Sequence, residues 1–233
     1  MGKVLYEISK DIIKKARPVA AYLLQAEEST INFFNGKFKI EATGQELTIQ
    51  EIAASYSKFN QTDKPLFSEF IQDGRLNAYP YGASGAEIEI EPETGELEII
   101  RYGVVDDCGR AINPMIVHGQ THGGIVQGAG QAIGECAFFD ENSGQLLSGS
   151  FMDYMMPRAD DMPDMKLGFH SVPCTTNPVG AKGCGEAGAI GSPPAVINAI
   201  TNALGVREID MPATPLNVWQ TLQNATHEDE RGE

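Results

Sequence analysis

Apolar residues recur at helical spacing near the N-terminus. Val4, Ile8, Ile12, Ile13, Ala20, Leu23 and Leu24 fall on one side of a helix expected over residues 3–26. Pro18 lies inside it and, lacking an N–H, predicts a kink or a division into two. The period then changes to two. Residues 31–40 alternate around Asn35-Gly36, a pair that favours a type I′ turn, so a β-hairpin is expected. Thr48 and Glu51 have the spacing of a capping box and predict a short helix through Ile52 to about Tyr56. Pro, Asn and Gly punctuate residues 57–82, where an irregular connection is expected.

Two further alternating runs, residues 85–91 and 96–106, flank Pro92-Glu93-Thr94-Gly95. Their acids share one face and Ile, Leu and Val the other, the pattern of a half-buried antiparallel hairpin with a solvated acidic face. After Pro114 the helical period returns. The segment from His118 to Glu135 is crowded with glycines, each of which costs up to about 1 kcal/mol in a helix, so something must pack closely on its backbone. Asp140–Gly144 reads as a turn, residues 148–154 as strand-like, 158–165 as a loop and 166–172 as a strand.

The densest glycine stretch follows, from Gly180 to Gly191. Ser192 and Pro193 are suited to the cap and first position of a helix. Ala195, Val196, Ala199, Ile200, Ala203 and Leu204 then form an apolar stripe that Gly205 ends. Residues 206–210 predict a short strand, and Thr214-Pro215 opens a last helix through Val218, Trp219 and Leu222. Together these elements predict an α+β fold, mixed layers of antiparallel strands with flanking helices. The organisation expected is a helix–hairpin–helix lobe over 1–80, a second lobe over 81–224 bearing the glycine-rich loop, and a polar tail over 225–233.

The 233 residues, 42% of them apolar, suit one large domain or two small ones. The formal net charge of −15 argues against nucleic acid and anionic membranes, since no basic surface is available to displace phosphate counterions. No apolar run approaches the roughly 20 residues of a membrane span, and the N-terminus lacks the apolar core of a signal peptide. Cys108, Cys136, Cys174 and Cys184 are widely spaced. That pattern departs from common zinc and iron–sulfur spacings and fits reduced thiols in a cytoplasmic protein.

The candidate chemistry lies in the glycine stretch. Lys182 and Glu186 are its only charges, and a carboxylate among residues without side chains is what a site needs if substrate is to sit against it. Residues 183–188 also spell Gly-x-Gly-x-x-Gly, with acids Glu208 and Asp210 about twenty residues on. A dinucleotide site is not expected, because no buried strand precedes the loop and Glu186 would meet a pyrophosphate as a like charge. On the earlier glycine-rich helix, Gln120, Gln127 and Gln131 can offer amides to a polar ligand. His118 and His122 stand four apart as a metal pair can, but without a third ligand at metalloprotease spacing.

Four ordered motifs now carry a resemblance: Ala86-Glu-Ile with Pro92-x-Thr-Gly95, Val104-Val-Asp-Asp-Cys-Gly with Ile112-Asn-Pro, Gly123-Gly-Ile-Val-Gln-Gly-x-Gly-Gln-Ala132, and Gly180-Ala-Lys-Gly-x-Gly-Glu-Ala-Gly188. From about residue 1 to 224 the chain resembles the C-terminal, second molybdopterin-binding domain of the molybdenum subunit in the xanthine dehydrogenase / aldehyde oxidase / aerobic carbon monoxide dehydrogenase family. The resemblance implies that Glu186 is the catalytic general base of a hydroxylation that draws oxygen from water. A carboxylate held in a water-poor loop would suit that task near neutral pH.

The resemblance further implies that Gln127 hydrogen-bonds the pterin, and that Gly128, Gly183 and Gly185 let the cofactor approach the backbone. Lys182 belongs to the same motif, with orientation or neutralisation of Glu186 as its conceivable task. The cofactor implied is molybdopterin, in its cytosine dinucleotide form, with molybdenum held by the cofactor and by no protein ligand. Flavin (FAD) and iron–sulfur clusters are implied on partner chains. The family's upstream loops are absent from this sequence, so a partner is expected to supply the remaining half of the molybdenum subunit and the other wall of the cleft. The alternative is an isolated or degenerate domain that folds and associates but binds no cofactor.

Overall fold

The computed structural model describes residues 2–74 and 77–229 and is an α+β structure of two compact units. The first comprises residues 1–76 with 177–179, the second residues 77–176 with 180–233. In the first, helix α1 (Gly2–Leu24) is followed by β1 (Ile31–Phe34), β2 (Lys37–Ile40), β3 (Glu46–Thr48) and α2 (Ile49–Phe59). The strands form an antiparallel sheet in the order β1-β2-β3. Asn35 and Gly36 both take positive φ, 50° and 77°, which gives the type I′ turn the Asn-Gly pair predicts. Ala16, Val19 and Ala20 of α1 pack with Ile31, Phe38 and Ile52, all fully buried, to make the core of this unit.

Two expectations change in this unit. Of the two outcomes expected at Pro18, a kink or a division, the division does not occur: helix α1 continues through it as one element. Its neighbour Arg17 hydrogen-bonds through its guanidinium to the Ile31 carbonyl, so α1 is held on the sheet at the turn where proline removes a donor. Helix α2 has its capping box, with Glu51 N donating to Thr48 Oγ1 at 3.3 Å and Thr48 N to Glu51 Oε2 at 2.7 Å. It runs on to Phe59, past the end expected near Tyr56.

The second unit is built on β4 (Tyr81–Ile90) and β5 (Leu97–Asp107), an antiparallel pair with a bulge between Glu87 and Ile88. β6 (Lys166–Phe169) pairs with β5 in parallel, giving the order β4-β5-β6. Helices α3 (Pro114–Ile133), α4 (Ala187–Leu204) and α5 (Pro215–Asp229) complete the unit. Ile99, Tyr102 and Val104 of β5 share one apolar core with Ile125 of α3 and with Val196 and Ile200 of α4. Asn113 caps α3, its side-chain oxygen accepting from Ile116 N at 3.3 Å.

Two of the α3 glycines, Gly124 and Gly128, are spent on its crossing with α4. A Cβ on Gly188 would lie 2.6 Å from Thr121 O and 2.8 Å from Ile125 N, and one on Gly124 would lie 3.0 Å from Ala189 N. Two backbones at that separation leave no room for a side chain. Helix α4 therefore begins at Ala187, five residues before the start expected from Ser192 and Pro193. Ser192 is buried at the crossing and donates to Ile125 O at 2.9 Å instead of capping a terminus. Gly205, at φ 69°, closes the helix as expected.

Elsewhere the second unit departs from the reading of the sequence in four places. Residues 148–154 form turns instead of a strand: Asp153 N and Tyr154 N both donate to Ser150 O, which curls the chain. Residues 206–210 have no strand partner, and β6 ends at Phe169. The last helix continues to Asp229, beyond the start of the expected tail at 225, and residues 230–233 lie outside the described residues. Among the described residues no helix is long and apolar enough to cross a membrane.

The crossing gives a paired prediction. Gly188→Ala should destabilise the chain by about 1–3 kcal/mol, since its methyl meets backbone that cannot yield. Gly123→Ala, where a Cβ meets nothing within 4 Å, should be neutral or stabilising by up to about 1 kcal/mol. Urea unfolding of both variants checks the contrast, and equal effects would remove the crossing as the reason for these glycines.

Candidate active site

The site is assembled where β5 ends. Asp106 and Asp107 are consecutive and both buried, so a strand that alternates faces places one acid on each side. Asp107 receives three donors. Gly109 N donates to its Oδ1 at 2.7 Å, Val172 N to the same oxygen at 3.0 Å, and the Lys182 ammonium to Oδ2. The side chains of Lys182 and Asp107 are 8% and 1% exposed, so this is a buried ion pair. Burial alone pushes the Asp107 carboxyl up. The Lys182 ammonium and the Val172 and Gly109 N–H groups outweigh it and hold the carboxyl at about 2.

The pair fixes the start of the glycine loop. Lys182 N donates to Cys108 O at 2.8 Å, Gly180 O accepts from Arg110 N and Cys174 N at 2.9 Å each, and Ala181 bridges to Gly109. Above Lys182 lies the ring of Tyr81, its centroid 5.1 Å from Nζ. Past this anchor, Gly183, Cys184, Gly185 and Glu186 swing out and α4 begins immediately after Glu186. These four residues, with Tyr81, Gly82 and Ser84 of β4, Asp106 of β5 and the first turns of α4, line a cleft of about 400 Å³.

The residues picked out in the sequence separate into three groups. Glu186, Gly183 and Gly185 line the cleft together. Glu186 is exposed, so the water-poor setting expected for it is not made by this chain. A Cβ on Gly183 would meet nothing within 4 Å, and one on Gly185 only Gln120 Nε2 at 3.7 Å, which leaves the loop backbone bare on that side. Gln127 stands exposed on α3, two turns from Gln120 and on the same face. Lys182 and Gly128 have other tasks. Lys182 pairs with Asp107 instead of Glu186. Gly128 is buried under α4, where a Cβ would lie 2.8 Å from Ser192 Cβ and Pro193 Cδ, so its missing side chain serves the helix crossing.

The histidines stay apart from the cleft. His122 Nδ1 is 2.9 Å from His118 O, and His118 packs edge-on to Phe169 at 4.8 Å. Among the described residues no three His, Cys, Asp or Glu side chains cluster as a metal site. The loop at 183–188 also lacks the parallel strand of a dinucleotide site, although its helix starts inside the glycine motif and not beyond it.

Sequence reasoning did not single out Asp107 at the loop anchor or Asp106, Tyr81 and Ser84 on the cleft. A signal was present: two acids in succession at the end of an apolar strand cannot both face water by alternation. The acidic row of the hairpin drew attention to the solvated face instead.

The site thus combines a bare glycine loop and a carboxylate at its end on one cleft, with exposed amides on the neighbouring helix α3. The molybdopterin cofactor-binding domain family matches residues 1–163, and the chain belongs to that family. It is 35% identical over 91% of its length to subunit gamma of the 6-hydroxypseudooxynicotine dehydrogenase complex of Paenarthrobacter nicotinovorans. It is 32% identical over 95% of its length to the carbon monoxide dehydrogenase large chain of Hydrogenophaga pseudoflava. Among solved structures, a copper- and molybdenum-containing carbon monoxide dehydrogenase in its carbon monoxide reduced state superposes with a TM-score of 0.79 at 29% identity over 94% of this chain. The chain spans 28% of the length of each of these three proteins.

The ion pair generates a prediction with a sign. Asp107 has a folded value of about 2, below its ordinary 3.8. Its contribution is therefore present above the ordinary value and lost as pH falls through about 2. The stability gap between wild type and Asp107→Asn should be full at about pH 5 and narrow toward pH 2, read by urea unfolding. Lys182→Met, which strands Asp107 without its cation, should cost about 3–5 kcal/mol near neutral pH. A cost below about 1 kcal/mol, the range of exposed pairs, would show that the pair does not anchor the loop.

Proposed function

We propose that this chain is the glutamate-bearing part of a molybdenum-dependent hydroxylase or dehydrogenase complex that oxidises an aldehyde, an N-heteroaromatic compound or carbon monoxide with water as the oxygen source. The observation that carries the reading is the placement of Glu186 at the end of a backbone left bare at Gly183 and Gly185, beside the cleft. Membership of the molybdopterin-binding family supports it. The donor set fits the cofactor: backbone amides of the loop and the exposed amides of Gln120 and Gln127 suit a flat heterocycle with many hydrogen-bonding edges. When bound, the cofactor supplies the redox chemistry and the site of oxygen transfer.

The protein's own contribution is then positional and acid–base. Gly183 and Gly185 admit the cofactor, and Gln127, with Gln120, orients it. Glu186 takes the proton at its carboxylate oxygen as the water-derived oxygen attacks the substrate carbon. Lys182 acts one step back, through Asp107, by keeping the loop in register with β5. Glu186 is exposed in this chain, so the low-dielectric enclosure that base catalysis favours must be completed by the remaining part of the molybdenum subunit. Flavin and iron–sulfur subunits would carry the electrons away, and the cofactor would be the cytosine dinucleotide form. The same exposure favours one second reading, a non-catalytic domain that associates without binding cofactor.

Elemental analysis of the protein purified from its source separates the two. About one molybdenum per chain with larger chains co-eluting supports the enzyme, whereas no metal and no partner leaves the non-catalytic reading. In the assembled complex, Glu186→Gln should abolish turnover with molybdenum content unchanged; loss of the metal would make Glu186 structural. Gln127→Ala should lower cofactor retention, and unchanged retention would take Gln127 off the binding surface.

A further inference from the structure

The cleft holds a group that the reading above does not use. Asp106 is 6% exposed, lines the cleft, and has a buried Oδ2 with no hydrogen-bond partner. Its Oδ1 lies directly over Gly82, where an added Cβ would sit 2.1 Å away, so the strand opposite has been cut back to glycine to make room for the carboxyl. A buried carboxylate without partners is costly, and such groups are found where a counter-charge or ligand arrives. Burial pushes the Asp106 carboxyl up from its ordinary value.

The surroundings select the ligand's charge. Glu186 is a second acid on the cleft, and neither Lys, Arg nor His is among its lining residues. The nearby cation, Lys182, is already committed to Asp107 and to the face of Tyr81. The walls are apolar at Tyr81, Ile190, Pro194 and Ala195, with Ser84 and Asn198 offering polar contacts. A volume of about 400 Å³ suits a small organic molecule and not a peptide or polymer.

We propose that Asp106 is the anchor of a binding site for small aromatic or apolar organic cations, amines, amidines or protonated N-heterocycles, whose charged end reaches Asp106 while the ring lies along Tyr81 and Ile190. As a subsite for the substrate of the oxidation it rests on the molybdenum reading; as a binding site it does not. An aromatic cation brings to Asp106 the charge that it lacks and brings to Tyr81 a ring to stack on. An anion of the same shape meets two acids.

The test is calorimetric titration of the full chain, with any chains that co-purify, using benzamidine, benzyl alcohol and benzoate as probes. Benzamidine should bind, benzyl alcohol at least about tenfold more weakly and benzoate not at all. Asp106→Asn should weaken benzamidine by about tenfold or more while circular dichroism stays that of the wild type. Equal binding of benzamidine and benzyl alcohol, no binding of benzamidine at millimolar concentration, or undiminished binding by Asp106→Asn each overturns the proposal. Should Asp106→Asn not fold, Glu186→Gln decides: benzamidine binding retained within about threefold supports Asp106, and its loss transfers the anchor to Glu186 and overturns the proposal. Molybdenum content, measured on the same samples, reports the proposed activity separately, so failure of either reading leaves the other identifiable.

Discussion

The Lys182–Asp107 ion pair is the buried side-chain link between segments of the second unit that backbone hydrogen bonds also join. Asp107 closes strand β5, Gly109 turns away from it, Val172 follows β6 and Lys182 opens the glycine loop; one carboxylate collects donors from the last three. Taking both charges from water is expensive, and the geometry repays it because each Asp107 oxygen has a donor. A loop with almost no side chains has little else to hold it. Its glycines make the backbone approachable and, by the same property, leave it without packing interactions. Covalent reach fixes the remainder: only three residues separate Lys182 from Glu186, so the catalytic candidate inherits its position from an ion pair that it never touches.

The second constraint is the α3–α4 crossing. Gly124, Gly128 and Gly188 let two helical backbones meet at a separation that any side chain would prevent. Helix α4 begins directly after Glu186, so this crossing sets where the loop must end, as the ion pair sets where it begins. The loop is thus clamped at both ends and bare in the middle. That arrangement suits a ligand that recognises backbone, since the amides are presented without the entropy cost of ordering long side chains.

Much of this was legible from residue order, for reasons that are local. Asn35-Gly36, Thr48 with Glu51, and the alternation over 85–106 each act through neighbours in sequence, and each forms as read. The start of α4 was misread because Ser192 and Pro193 carry a strong local preference for a helix end, whereas the crossing with α3 extends the helix back to Ala187. Pro18 likewise fails to divide α1, which is held on the sheet by packing that extends to either side of it. At the site, Glu186, Gly183 and Gly185 stood out because a charge among glycines is visible in one dimension, and they line one cleft. Lys182 had no partner assigned from sequence beyond a conceivable link to Glu186, because Asp107 is 75 residues away and only the fold brings them together. Gly128 was assigned to a ligand and belongs to a helix, a choice that composition cannot make.

Asp106 and Asp107 show how far one strand residue can separate two chemistries. Alternation sends them to opposite faces of the same sheet edge. Asp107 faces the loop anchor, where three donors stabilise its charged form and hold it low. Asp106 faces Gly82 and the cleft, where burial acts without compensation and raises it. The difference is not one of depth, since both side chains are buried; it is one of partners. The acid that has its cation is fixed in place and works as structure. The acid that lacks one keeps a buried Oδ2 without a hydrogen-bond partner, and under the proposal above a small cation entering from the cleft offsets that cost.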